Sequence, residues 1–177
     1  FFNQTWIKEN NFIGTSSVNL KDLDIPISKK DDSSPFEIVW LKNIDRLMRF
    51  LPINLNIKNY DLLDLGCGSG ISSFYFASYY EFKSFYGYDV SKRLIKAAEI
   101  NKQIFLKNNE SKININFKVK DVSELKIENP SVLFMFNPFG LNTIENFILK
   151  NIKFMKDSKS LILYANDIYV DSLLNYG

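Results

Sequence analysis

Apolar positions change rhythm near residue 35. Up to Ser34 the chain is polar and irregular, with Thr15-Ser16-Ser17 and the run Lys29 to Ser34 reading as loop. Residues 1–34 are therefore read as an N-terminal arm or lid, and 35–177 as one folded domain. Ser34-Pro35-Phe36-Glu37 has the form of a capping box with proline at the first helical position. Ile38, Leu41, Ile44, Leu47, Met48 and Leu51 follow at helical spacing, which predicts an amphipathic helix ending near Pro52. From Asp61 onward, short apolar runs alternate with helical patterns. Strands are expected at 61–66, 84–90, 115–121, 131–137 and 161–166, bounded by turn residues. Helices are expected at 70–80, at 91–107 behind a Ser91 cap, and at 142–155 behind an Asn142-x-x-Glu145 box, with a short turn at 123–125. Strands alternating with helices predict an α/β fold, a mostly parallel sheet covered on both faces. Such a sheet takes its ligand at the carboxyl ends of its strands, beside the point where strand order reverses.

Composition narrows the chemistry. The 177 residues are 46% hydrophobic and 24% charged, which suits one ordinary globular domain and excludes disordered and collagen-like classes. There is no histidine, which removes Ser-His-Asp and Cys-His catalysis and every His-containing metal site. The single cysteine, Cys67, allows no internal disulfide and no Cys-rich zinc cluster, so no metal is expected and a cytoplasmic setting is the default. A net charge of +2 is far from the basic field of a phosphate-backbone binder, so nucleic acid is not indicated. No apolar run approaches membrane-spanning length, so no membrane partner is expected.

Three of the 7 glycines fall in Asp64-Leu65-Gly66-Cys67-Gly68-Ser69-Gly70, directly after a strand and before a helix. Glycine permits positive φ and close approach of a ligand, and the following helix offers free N–H groups to an anionic group. A dinucleotide fingerprint needs its third glycine at position 71, which is Ile71 here.

The G-x-G-x-G pattern behind an acidic residue resembles the first motif of class I S-adenosylmethionine (SAM) dependent methyltransferases, and further features follow in that family's order. Tyr86-Gly87-Tyr88-Asp89-Val90-Ser91 ends the second strand with an acid placed where the family accepts both ribose hydroxyls. Val119-Lys120-Asp121-Val122 is similar to the segment that takes the adenine amino group. Phe136-Asn137-Pro138-Phe139-Gly140 is similar to the fourth motif, at the reaction centre, in its small bacterial Asn-Pro-Phe form. The resemblance runs from about Pro35 to Gly177 and implies a Rossmann-like class I methyltransferase fold, with SAM as cofactor and S-adenosylhomocysteine as product. It implies cofactor-binding roles for Asp64, Gly66, Cys67, Gly68, Gly70, Asp89, Val90, Asp121 and Val122, and an acceptor-side role for Asn137, Pro138 and Phe139. The family's Asn-Pro-Pro-aromatic form marks nitrogen acceptors. This chain lacks the second proline, so nitrogen and oxygen acceptors both stay open, on a small molecule ahead of a protein or nucleic acid. A non-catalytic SAM-fold module is the alternative; aminopropyl transfer is disfavoured because that family carries an acid at the position of Asn137.

Each position also has a bland reading. The glycine loop can be a tight packing turn, and Asp89 and Asp121 can be strand-end caps. Asn137-Pro138 can be a strand-terminating turn, Phe139 a core residue and Cys67 a small buried filler. The aromatic band from Phe74 to Tyr86 reads as core helix and strand. Lys92, Lys96, Lys102, Lys107 and Lys112 read as solvated helix surface. Trp6, Ile7, Phe12, Phe36, Trp40 and Tyr164 are candidates for the acceptor side. The chain begins at Phe1 rather than methionine and stops where the family's C-terminal hairpin would begin, so more sequence is expected beyond it. Oligomeric state is not legible.

Overall fold

Strand β1 (Asp61–Leu65) is buried along its whole length because it lies at the centre of a five-stranded sheet. The computed structural model describes residues 2–109 and 113–176, and Lys112 lies outside them. The other strands are β2 (Ser84–Asp89), β3 (Ile115–Val119), β4 (Ser131–Phe136) and β5 (Leu161–Ala165). They run in the order β3-β2-β1-β4-β5 with every pairing parallel. The order reverses between β1 and β4, which places the expected ligand crevice there.

Helices α1 (Phe2–Glu9), α2 (Ile27–Lys30), α3 (Leu41–Met48), α4 (Ile71–Tyr79), α5 (Lys92–Asn108), α6 (Leu141–Ser158) and α7 (Val170–Leu174) complete the described chain, with short 3₁₀ turns such as Val122–Glu124. Period-two alternation sends neighbouring strand residues to opposite faces. Leu62, Phe85, Phe117 and Phe134 join one core with α3, α4 and α5, while Leu63, Leu65, Leu133 and Met135 join a second core with α6. Most of the aromatic band is core: Phe74, Tyr75, Phe76, Phe82 and Phe85 are buried, while Tyr79 is exposed. Among the described residues, no helix is long and apolar enough to cross a membrane.

Four expectations about local structure need correction. The stretch after Ser34 does not start a helix. Phe36 exchanges backbone hydrogen bonds with Val18 (2.9 and 3.0 Å), and the Ser34 N–H reaches the Pro138 carbonyl (3.3 Å), which holds the segment extended. The helix begins at Leu41, whose N–H is accepted by Asn3 Oδ1 at 2.9 Å. Likewise Asn142 does not cap α6. Gly140 is the N-cap residue, and Asp32 Oδ2 accepts the Thr143 N–H and hydroxyl at 2.7 and 2.5 Å. In both cases a long-range acceptor replaces the local box. The arm is also not irregular throughout, since it contains α1 and α2. Nor do Trp6 and Phe12 stand on the acceptor side: they are buried in the core, where Phe12 stacks on Phe74 at 4.9 Å. The remaining strand and helix boundaries shift by a few residues at most, and Ser91 caps α5 as expected, accepting the Leu94 N–H at 3.1 Å.

Candidate active site

The carboxyl ends of the strands bring the motifs together. After β1 the glycine loop turns through Gly66 (φ 80°), Gly68 (φ 54°) and Gly70 (φ 82°) into α4. Close approach as well as conformation demands glycine here. A Cβ on Gly66 would stand 2.0 Å from Pro138 Cβ, and one on Gly68 would stand 2.1 Å from the Phe36 ring. The loop is tied down by Gly66 and Cys67 N–H groups on the Tyr88 carbonyl (2.8 and 3.0 Å).

Asp64 is buried at the base of the loop, and its Oδ2 accepts the hydroxyls of Ser72 and Ser73, each at 2.6 Å. Burial pushes its carboxyl up to about 6, against the pull of the two serines. Asp89 ends β2. Its Oδ2 accepts the Gly68 N–H at 2.9 Å and its Oδ1 the Ser91 N–H at 2.8 Å. Burial raises its carboxyl above the usual range despite those two donors. Cys67 is buried, with its thiol raised well above the ordinary range by burial and then by the charges of Asp64 and Asp89. That is the environment of an inert filler.

Asp121, after β3, is held differently. Lys29 of the arm meets its Oδ2 at 2.5 Å, and Ser123 donates its N–H and hydroxyl to Oδ1 (2.9 and 2.7 Å). Burial opposes ionisation, but Lys29 and Ser123 outweigh it and keep this carboxyl below the usual range. After β4, Asn137 adopts φ 43° and Pro138 lies against Gly66. Phe139 is buried in the second core and bridges Ser33.

Two cavities of about 60 and 40 Å³ flank Asp89. The first reaches Asp64, Gly66, Cys67 and Ser72 below the loop; the second reaches Asp121, Val122 and Phe139. Ser33, Gly66, Asp89, Val90 and Pro138 line both. The arm thus crosses the site. It is stapled there by Asp24, which accepts the Ser91 hydroxyl and the Arg93 N–H (2.9 Å) at the start of α5, and by Asp32 at the start of α6.

The structure brings Asp64, the glycine loop, Asp89, Val90, Asp121, Val122, Pro138 and Phe139 to the carboxyl edge of the sheet, where the motifs were expected to meet. Sequence reasoning did not single out the arm's Asp24, nor Lys29 and Asp32, which lie in a run that reads as loop, nor Ser72 and Ser73 in α4. It also passed over Asn166, whose only local signal is its place at the end of a predicted strand. Of the acceptor-side candidates, Phe36 covers the loop, Trp40 is exposed against Arg46, and Tyr164 packs at the second core.

A model of the methyltransferase domain family matches residues 56–159, from just ahead of β1 to the end of α6. No curated protein matches the chain. Among solved structures, protein 1320 of Thermoplasma acidophilum is 25% identical with a TM-score of 0.47, over 68% of this chain and 59% of that one. Phosphoethanolamine N-methyltransferase 2 of Haemonchus contortus, solved with phosphomonomethylethanolamine and S-adenosylhomocysteine, is 23% identical with a TM-score of 0.42, over 55% of this chain and 21% of that one. A plantazolicin methyltransferase in complex with S-adenosylhomocysteine is 21% identical with a TM-score of 0.36, over 52% and 35%. The chain spans less than two-thirds of the length of each.

Proposed function

The chain belongs to the methyltransferase domain family, and from that premise we propose that it moves the methyl group of SAM to a nitrogen or oxygen acceptor on a small molecule, releasing S-adenosylhomocysteine. The observation that carries the reading is Asp89, fixed at the mouth of the glycine loop by the N–H groups of Gly68 and Ser91. A carboxylate has about four lone-pair sites, so two remain for a pair of ribose hydroxyls. The residues around it fit the same ligand. Asp64 lines the cavity below the loop, where an ammonium end would lie, and Val90 and Val122 supply apolar walls on the adenine side.

The bound sulfonium supplies a methyl group that is already electrophilic. What remains for the protein is to align an acceptor, exclude water and let a proton leave. No histidine is needed for that. Asn137 and the Pro138 carbonyl stand at the end of β4, where they can accept hydrogen bonds from an acceptor nitrogen or hydroxyl. The arm and the segment after it cover part of the site: Ser34 donates to the Pro138 carbonyl and Phe36 covers Gly68. The cavities of about 60 and 40 Å³ are small for a nucleoside ligand, and a third of about 620 Å³ opens beside them against Asp24, Val90 and Asp121, so the arm covers only part of the cofactor's expected place.

The test is release of S-adenosylhomocysteine over a panel of amine, amide, hydroxyl and carboxylate acceptors. Turnover on at least one acceptor, lost in Asn137→Ala with S-adenosylhomocysteine binding retained, is expected. Full activity in Asn137→Ala would overturn the role given to the fourth motif.

A further inference from the structure

Two asparagines leave the sheet side by side. Phe136 and Ala165 are partners in the parallel β4–β5 register, so the residues that follow, Asn137 and Asn166, emerge together at the ligand-binding edge. Both have left-handed backbones, with φ 43° and 56°. Among the described residues, the other non-glycine positions with positive φ are Asn11, which follows α1, and Lys159, which caps α6. At a helix end that conformation is ordinary. At the ends of two adjacent strands asparagine adopts it more readily than other side chains, and here it brings two carboxamides to the same edge of the sheet.

Those side chains face a common space. A cavity of about 150 Å³ is lined by Ser34, Pro35, Glu37, Phe136, Asn137 and Asn166. A cavity of about this size holds a benzene-sized group. Ser34, Pro35, Glu37 and Phe136 also line the cavity beneath the glycine loop, so the two spaces adjoin. The lining offers one carboxylate, two carboxamides and a hydroxyl over a proline and a phenylalanine, and its described residues include no basic side chain. That set attracts a cation with N–H donors and disfavours a carboxylate or phosphate.

We propose that Glu37, Asn137 and Asn166 form the acceptor subsite, and that it selects an acceptor whose reacting end is a small amine, bound as the ammonium and made nucleophilic by passing one N–H proton to the Glu37 carboxylate or to solvent before its lone pair takes the methyl group. Glu37 and Asn166 are specificity-determining residues here, with Glu37 supplied by the extended segment between the arm and α3 and Asn166 by the end of β5. The assignment rests on the methyl-transfer reading for its purpose, and on the cavity and the paired backbone geometry for its location.

The experiment uses the full ¹⁵N-labelled chain, with and without saturating S-adenosylhomocysteine, and two probes of nearly equal shape, n-butylammonium and 1-butanol. Side-chain amide resonances of Asn137 and Asn166 are followed during titration. Butylammonium should shift both and bind about threefold more tightly than butanol at low salt, the scale of one ion contact to an exposed carboxylate. Glu37→Gln should abolish most of that preference. Asn166→Gly, which removes the carboxamide and relaxes φ, should weaken butylammonium severalfold and leave S-adenosylhomocysteine affinity unchanged. Equal binding of the two probes, shifts confined to other residues, or an unchanged preference in Glu37→Gln would overturn the subsite. If S-adenosylhomocysteine fails to bind while butylammonium still shifts both amides, the cofactor reading falls and the amine subsite stands.

Discussion

Asp89 and Asp121 follow from neighbouring parallel strands and line the same cavity, yet they are held in opposite ways. Asp89 is gripped by backbone N–H groups of its own α/β unit, Gly68 and Ser91, and its carboxyl is raised by burial. Asp121 is gripped by Lys29, which comes from the distant arm, and its carboxyl is lowered. The first arrangement is complete once the β1–α4–β2–α5 segment has folded. The second is only half local: Ser123 holds one oxygen from two residues away, and Lys29 holds the other only while the arm lies across the site. One end of the site is built into the sheet and the other is made by a strap, so cofactor affinity should depend strongly on the first and weakly on the second.

The largest effect is expected at the built-in end. Gly66→Ala forces a side chain onto φ 80° and into Pro138. It should cost about 3 kcal/mol or more, combining left-handed strain with overpacking, in urea unfolding. A loss below 1 kcal/mol would mean that the loop gives way easily and the contrast with the arm is false.

Asp64 comes next. Its folded carboxyl is raised from 3.8 to about 6, so the stability it contributes is fully present below 3.8 and lost as pH rises through about 6. By linkage the change is about 3 kcal/mol, an order-of-magnitude figure for a fully buried group. Asp64→Asn should flatten that part of the stability curve, read as the difference between wild type and variant in unfolding between pH 4 and 7. Identical pH slopes in the two proteins would contradict the burial argument.

The smallest effect belongs to the strap. Lys29 is partly exposed, so its pair with Asp121 contributes below about 1 kcal/mol. Lys29→Ala should free the Asp121 carboxylate and tighten SAM binding by less than about fivefold at low salt, with the gain shrinking as salt rises. A large loss of affinity would make Lys29 a ligand rather than a latch.

The same division explains what was legible in the sequence. The glycine loop, Asp89 and the Ser91 cap are short-range features, in which a handful of neighbouring residues determine the backbone. Their places in the fold follow from the alternation of strands and helices. The arm's contributions are long-range: Asn3 caps α3, Asp24 caps the start of α5 and Asp32 caps α6. Nothing near these residues signals their partners, and the local boxes at Ser34 and Asn142 pointed elsewhere. Asn166 was overlooked for a similar reason, because a lone asparagine after a strand carries meaning only beside Asn137.

The most direct measurement is a calorimetric titration of SAM into wild type, Asp89→Ala and Asp121→Ala. The account predicts saturable binding to wild type, a loss of about a hundredfold or more in Asp89→Ala from removing two charged hydrogen bonds, and a change of only a few-fold in Asp121→Ala. No binding to wild type, or equal affinity for wild type and Asp89→Ala, would contradict it.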